Sequence, residues 1–218
     1  MILYRDEALV AVAKPSGLLV HRGWGRDRDV LMTRVRDQLE AYVYPVHRLD
    51  RGASGVVLFA LGPESARVLC GAFERGEVEK RYLALVRGVP PEAGVIDHPV
   101  PRAPGEARVP AVTEYRRLEV FGRYALVEAR PRTGRFHQIR RHLKHLSCPL
   151  IGDSNYGKSE HNRLLRERYG LARLALHAAS LAFAHPVDGR PMSIEAPVPA
   201  DLAEPLARLR ADYPLSDR

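Results

Sequence analysis

The chain is poor in the residues that most sharply narrow a protein's class. Its 218 residues include two cysteines, Cys70 and Cys148, and one tryptophan, Trp24. The cysteines lie far apart and form no CxxC pair, which excludes a disulfide framework or zinc ribbon and suits a reducing cytoplasm. No apolar run approaches membrane-spanning length, so no membrane partner is expected. Met1-Ile2-Leu3-Tyr4-Arg5-Asp6-Glu7 puts acids where a signal peptide needs its apolar stretch. The expected location is the cytoplasm.

Several catalytic classes lack their parts. There is no HExxH motif and no dense carboxylate cluster. His137, His142 and His145 on one helix would spread over about 140° and not converge, so no metal is expected. The glycines after Asp50 lead into a strand, and no Gly-Lys-Ser/Thr follows, which removes a P-loop. GxSxG is missing and Ser54 has no evident base, which removes a serine hydrolase. A glycosidase needs two carboxylates, and the sequence nominates one.

What is present is an ordinary globular composition, 45% apolar and 28% charged. The length suits one large domain or two small ones. Lys and Arg total 34 against 26 Asp and Glu, and all but four of those cations are arginine. A planar guanidinium forks onto phosphate and stacks on bases, so the excess favours a polyanionic partner. Charge alone also fits a merely solvated basic surface.

Nine residues organise the chain: His47-Arg48-Leu49-Asp50-Arg51-Gly52-Ala53-Ser54-Gly55, followed by an apolar strand over 56–61. Gly52 and Gly55 are expected to permit backbone angles closed to other residues. The cationic neighbours of Asp50 favour an ionised carboxylate, available as base or nucleophile. A plain solvated turn competes with this reading on the segment alone.

Before that turn, 9–13 reads as a strand, Lys14-Pro15-Ser16-Gly17 as a turn, and 18–20 as a second extended piece. Lys14, alone beside a turn, is within reach of a phosphate but reads more simply as solvated. Trp24 lies in a loop that either meets a ligand or covers the core. Leu31, Val35 and Leu39 recur at helical spacing. After the turn, a helix spans about 63–73, with Gly76 placed to end it. The strand 79–88 puts Lys80, Tyr82, Ala84 and Val86 on one face. Residues 89–110 hold six of the 17 prolines and read as an irregular excursion. A hairpin over 111–120 and 124–130 follows. Residues 135–146 fit a helix with Phe136, Ile139, Leu143 and Leu146 as its apolar stripe. Arg140 falls beside that stripe and is the cation expected to point inward, while His137, Arg141 and Lys144 make a basic face. A loop over 149–157, a helix over 159–169, a hairpin over 174–196 and a helix over 199–213 complete the chain. Hairpins dominate and helices come singly. The fold class is therefore α+β, with a mixed, largely antiparallel central sheet flanked by helices.

His47-Arg48-Leu49-Asp50, with Ser54-Gly55 after it, closely resembles the HRLDxxTSG signature of the RluA-type pseudouridine synthases. The resemblance covers nearly the whole chain, through Lys14-Pro15-Ser16-Gly17, Lys80-Arg81-Tyr82, Thr133-Gly134-Arg135 with His137-Gln138-Ile139-Arg140, Ile151-Gly152-Asp153, Leu176-His177-Ala178 and His185-Pro186. Val20-His21-Arg22, Trp24 and Val35-Arg36-Asp37-Gln38 look most like the branch that modifies position 65 of tRNA. Ala53 departs from the family threonine; losing that hydroxyl is expected to loosen the turn but leaves the carboxylate in place.

The resemblance implies a single catalytic domain over 1–218 without a separate N-terminal RNA-binding domain. It implies an RNA isomerase that detaches uracil from ribose, turns it and rejoins it through carbon, with no cofactor. Asp50 is the implied essential carboxylate, whether it attacks the sugar, attacks the base or removes a sugar proton. Tyr82 matches the tyrosine that stacks on the target base, and Arg140 the arginine that pairs with the carboxylate. Arg48 matches the residue that fills the gap left by an everted nucleotide, whose unstacking costs a few kcal/mol. Arg51, Arg135, His137, Arg141 and Lys144 are candidate RNA contacts, with affinity falling steeply as salt rises. The expected partner is RNA, with tRNA preferred and rRNA possible, and the expected state is a monomer. A non-catalytic RNA-binding or ribosome-assembly protein is the competing class. Such a protein has no need to keep Asp50, Tyr82 and Arg140 together.

Overall fold

A computed structural model of the chain describes residues 2–22 and 29–214, so the expected loop around Trp24 lies outside the described residues. In chain order the first elements are β1 (Ile2–Arg5), β2 (Leu9–Lys14), α1 (Leu31–Leu39), β3 (Tyr44–Pro45), β4 (Ser54–Ala60), α2 (Pro63–Arg75) and β5 (Glu79–Arg87). Then come β6 (Ala93–Asp97), β7 (Val100–Pro101), β8 (Arg108–Val109), β9 (Val112–Phe121) and β10 (Tyr124–Pro131). The last are α3 (Gln138–His145), α4 (Ser159–Tyr169), β11 (Leu176–Ala184), β12 (Pro191–Glu195) and α5 (Ala200–Asp212). They fall into two compact units, Met1–Lys80 with Ala178–Pro197, and Arg81–His177 with Val198–Arg218. Among the described residues, no helix is long and apolar enough to cross a membrane.

In the first unit the strand order is β1-β2-β4-β11, with β12 on β11 and the short β3 on β4. β2 and β4 pair antiparallel from Leu9↔Ala60 to Lys14↔Gly55. All of β4 is buried, as its unbroken apolar run demands. α2 begins at Pro63, where a missing N–H costs no helical bond, and ends on the left-handed Gly76 at φ 75°. The turn after β11 is tied to β1 through Asp6, which accepts from Tyr4 Oη at 2.7 Å and His185 Nε2 at 2.9 Å. Burial raises the Asp6 carboxyl, but the bonds from Tyr4, Leu9, Ala8 and His185 outweigh it and bring it to about 2.

Of the two glycines expected to free the central turn, Gly55 takes a left-handed angle, φ 123°, and Gly52 does not. A Cβ on Gly55 would sit 2.2 Å from the Ala178 carbonyl oxygen. Gly55 is thus required by close packing as well as by φ. Gly55→Ala is expected to cost more than about 2 kcal/mol of stability. The measurement is the denaturant midpoint at constant m-value, and a midpoint equal to the parent's would contradict it.

In the second unit the order is β5-β10-β9-β6, with every one of these pairings antiparallel. Its core joins Leu85, Phe121, Tyr124 and Leu126 of the sheet to Leu165 and Tyr169 of α4 and to Leu202, Leu206 and Leu209 of α5. The α+β class with a largely antiparallel sheet holds. Two local expectations in this unit do not. The stretch 89–110 is not wholly irregular, because β6 forms in it as an edge strand on β9, with Val95 opposite Glu114. The helix expected over 135–146 begins only at Gln138, because His137 is left-handed at φ 52°. Phe136 therefore stacks on the His137 ring, centroids 3.8 Å apart, instead of joining the helical stripe.

Candidate functional site

Asp50 is half-buried between the exposed Arg48 and Arg51 in the first unit. The turn closes through the Ala53 N–H, which donates to the Asp50 carbonyl at 3.1 Å. Ala53, where the family pattern carries threonine, is 1% exposed.

The loop after β2 fastens this turn. Lys14 is 2% exposed. Its ammonium donates to the carbonyls of Leu18 at 2.6 Å, Pro15 at 3.0 Å and Arg51 at 3.1 Å. The Gly17 N–H reaches the same Arg51 carbonyl at 2.8 Å, and Ser16 Oγ donates to the Gly52 carbonyl at 2.7 Å. Lys14 is thus not the solvated lysine expected from sequence. It is a buried bracket, and its charge is accommodated by converging carbonyl dipoles.

On the other side of the turn, His47 Nε2 accepts the N–H of Leu58 on β4 at 2.9 Å. Its ring stacks on Phe73 of α2 with centroids 4.5 Å apart. Burial, helped by the charge of Lys80, pushes the imidazole down to about 3. The ring therefore stays a neutral acceptor at physiological pH. His47 fastens one end of the turn to β4 while Lys14 and Ser16 fasten the other.

In the second unit Tyr82 is half-buried on β5, opposite Ala129 of β10. Arg140, on α3, points inward as the helical spacing predicts and is 7% exposed. Its Nε and Nη2 donate to the two Asp153 carboxylate oxygens at 2.7 and 2.8 Å. That bidentate pairing suits a planar guanidinium. Burial raises the Asp153 carboxyl, but the bonds and charge of Arg140 and the N–H groups of Tyr156 and Asn155 outweigh it and leave it lowered.

α3 itself is anchored by a polar chain. Gln138 accepts from Thr133 Oγ1 at 2.6 Å and from the Arg135 N–H at 3.0 Å. Its Nε2 donates to the Val112 carbonyl and to Thr113 Oγ1, each at 3.0 Å. His142, fully buried, lies 2.8 Å from Thr113 Oγ1 through Nδ1 and 2.8 Å from the His98 carbonyl through Nε2. A carbonyl only accepts, so Nε2 carries the proton and Nδ1 accepts from the threonine. Burial lowers the His142 imidazole, which keeps that tautomer neutral. This histidine is a structural anchor.

Arg48, Asp50 and Arg51 therefore lie in the first unit, and Tyr82, Arg135, His137, Arg140, Arg141 and Lys144 in the second. Sequence reasoning missed the bracketing roles of Lys14 and His47 and the pairing of Asp153 with Arg140. Asp153 does carry a signal, because Gly152 before it has φ 75° and a Cβ there would meet the Arg173 carbonyl oxygen at 1.8 Å. A glycine forced by packing marks a loop built to one shape.

A family described as RNA pseudouridylate synthase matches residues 8–145. The tRNA pseudouridine synthase C of Pectobacterium carotovorum subsp. carotovorum is 44% identical over 218 residues, covering 89% of this chain and 58% of that protein. The chain thus spans under two thirds of that relative. The protein of the same name from Haemophilus ducreyi is 44% identical over 217 residues, covering 89% of each. Among solved structures, human RNA pseudouridylate synthase domain containing 4 has a TM-score of 0.79 at 31% identity, covering 96% of this chain and 92% of that one.

Proposed function

The chain belongs to the RNA pseudouridylate synthase family, and we propose that it converts a uridine of tRNA to pseudouridine, at position 65. The observation that carries this reading is the 44% identity to a tRNA pseudouridine synthase C of which 89% is covered. The reaction is an isomerisation. The bond from base N1 to ribose C1′ breaks, the base turns, and C5 bonds to C1′. C5 gives up a proton and N1 takes one, so atoms balance without an oxidant or a group donor.

Asp50 is the essential carboxylate, and Tyr82 and Arg140 keep the roles that the resemblance assigns them. Arg48 fills the stack once the uridine is everted, because a planar guanidinium restores part of the lost stacking. Arg51, Arg135, His137, Arg141 and Lys144 meet the RNA. The enzyme works as a cytoplasmic monomer.

The test is to map pseudouridines in tRNA and rRNA from cells with and without the gene. Loss of one tRNA mark, at position 65, is expected. Loss confined to rRNA would overturn the choice of substrate. An unchanged map in both would favour the binding protein instead.

A further inference from the structure

Among the described residues, most of the ion-paired arginines are held by carboxylates on the surface. Arg67 lies 2.6 Å from Glu64, Arg75 2.7 Å from Glu77, Arg168 2.7 Å from Asp212 and Arg210 2.6 Å from Glu119. Such a cation is neutralised where it stands. The basic face of α3 is built otherwise. Among the described residues, no carboxylate pairs with Arg141 or Lys144, and Arg141 Nε is buried with no hydrogen-bond partner.

Both cations are held by rings. The Tyr156 ring has Arg141 Cζ at 5.1 Å and Lys144 Nζ at 5.7 Å from its centroid, and Arg140 Cζ also at 5.1 Å. Phe136 supplies a second face, with Arg141 Cζ 5.6 Å from its centroid. The Tyr156 hydroxyl lies 3.2 Å from His137 Nδ1. The loop fixes the ring in turn, because the N–H groups of Asn155 and Tyr156 donate to Asp153 Oδ1 at 2.9 and 3.0 Å. A π face attracts a cation without cancelling its net charge. A guanidinium and an ammonium fixed in this way keep their charge available to an anion.

We infer that Tyr156 is a positioning residue for RNA binding: its ring holds Arg141 and Lys144 in place while leaving their charge for backbone phosphates. This rests on reading that face as an RNA contact. Tyr156 acts through the cations and takes no part in the bond changes.

The experiment measures affinity and its salt dependence on unmodified tRNA transcripts, together with KM and kcat. Tyr156→Met keeps bulk but loses the ring, and is expected to weaken binding about five- to tenfold. The slope of log affinity against log salt should flatten by about one for each phosphate contact released. KM should rise by more than kcat falls. Tyr156→Phe, which keeps the ring, should restore affinity and slope. Unchanged affinity and slope in Tyr156→Met would overturn the inference, as would an equal loss in Tyr156→Phe. If Tyr156→Met does not fold, Phe136→Leu removes the other face over Arg141 and is read in the same way. Arg141→Ala separates the two levels. If it leaves affinity unchanged, the RNA face itself is wrong. If it weakens binding while Tyr156→Met does not, only the role of Tyr156 fails.

Discussion

Asp50→Asn is expected to abolish pseudouridine formation, by about 1,000-fold or more, while leaving the fold and RNA binding in place. The scale is that of losing a nucleophile or proton-transfer group. The three routes open to the carboxylate are attack on the sugar, attack on the base, and removal of a sugar proton. All require its anionic form, and an amide of nearly the same shape supplies none of them. The turn, meanwhile, has fastenings that do not involve the Asp50 side chain. Its backbone is held by the Ala53 N–H, by Lys14 and Gly17 on the Arg51 carbonyl, and by Ser16 on the Gly52 carbonyl. Asn leaves those bonds intact. The check is single-turnover conversion of tRNA transcripts beside a binding isotherm and a thermal melt. Product formed at the parental rate would remove Asp50 from the chemistry. Lost binding together with a lowered melting temperature would mean that the carboxylate is structural.

The parts of the molecule legible in the sequence are those that local pattern decides. Unbroken apolar composition located β4, Pro63 and Gly76 bounded α2, and periodicity placed the inward turn of Arg140. What stayed hidden depends on partners distant in sequence. β6 lies in a stretch whose prolines argue against a strand, and it exists because β9 offers Ile96 and Val95 a register against Thr113 and Glu114. The start of α3 is set by a glutamine side chain reaching back to Arg135 and across to Thr113, a contact no helical propensity encodes. Lys14 looked solvated because nothing local shows that the Arg51 carbonyl, 37 residues on, would close over it. Propensity rules treat a lone lysine as exposed. Only tertiary structure supplies the carbonyl cage that makes burial affordable.

The same reasoning gives Asp153 a large expected effect outside the Asp50 turn. Its side chain is fully buried against a guanidinium that is 9% exposed. Removing one partner of such a pair strands the other charge in a dry environment, which costs about 3–5 kcal/mol. Asp153→Ala also orphans the Asn155 and Tyr156 N–H groups. It is therefore expected to fall in or above that range. Asp153→Asn keeps an acceptor for those groups but turns an amide donor toward Arg140, and should lose somewhat less. The dependence on pH has a definite sign. The folded carboxyl is lowered from the ordinary value of 3.8. Its contribution is thus complete above that value and is lost as pH falls from there through the folded pKa. The stability gap between the parent and Asp153→Asn should therefore be widest near neutrality and close progressively below about pH 4. Denaturant unfolding of both proteins across that range measures it. A gap that is constant with pH would show that the pair contributes by shape alone. A gap that widens on acidification would reverse the assigned direction of the Asp153 shift.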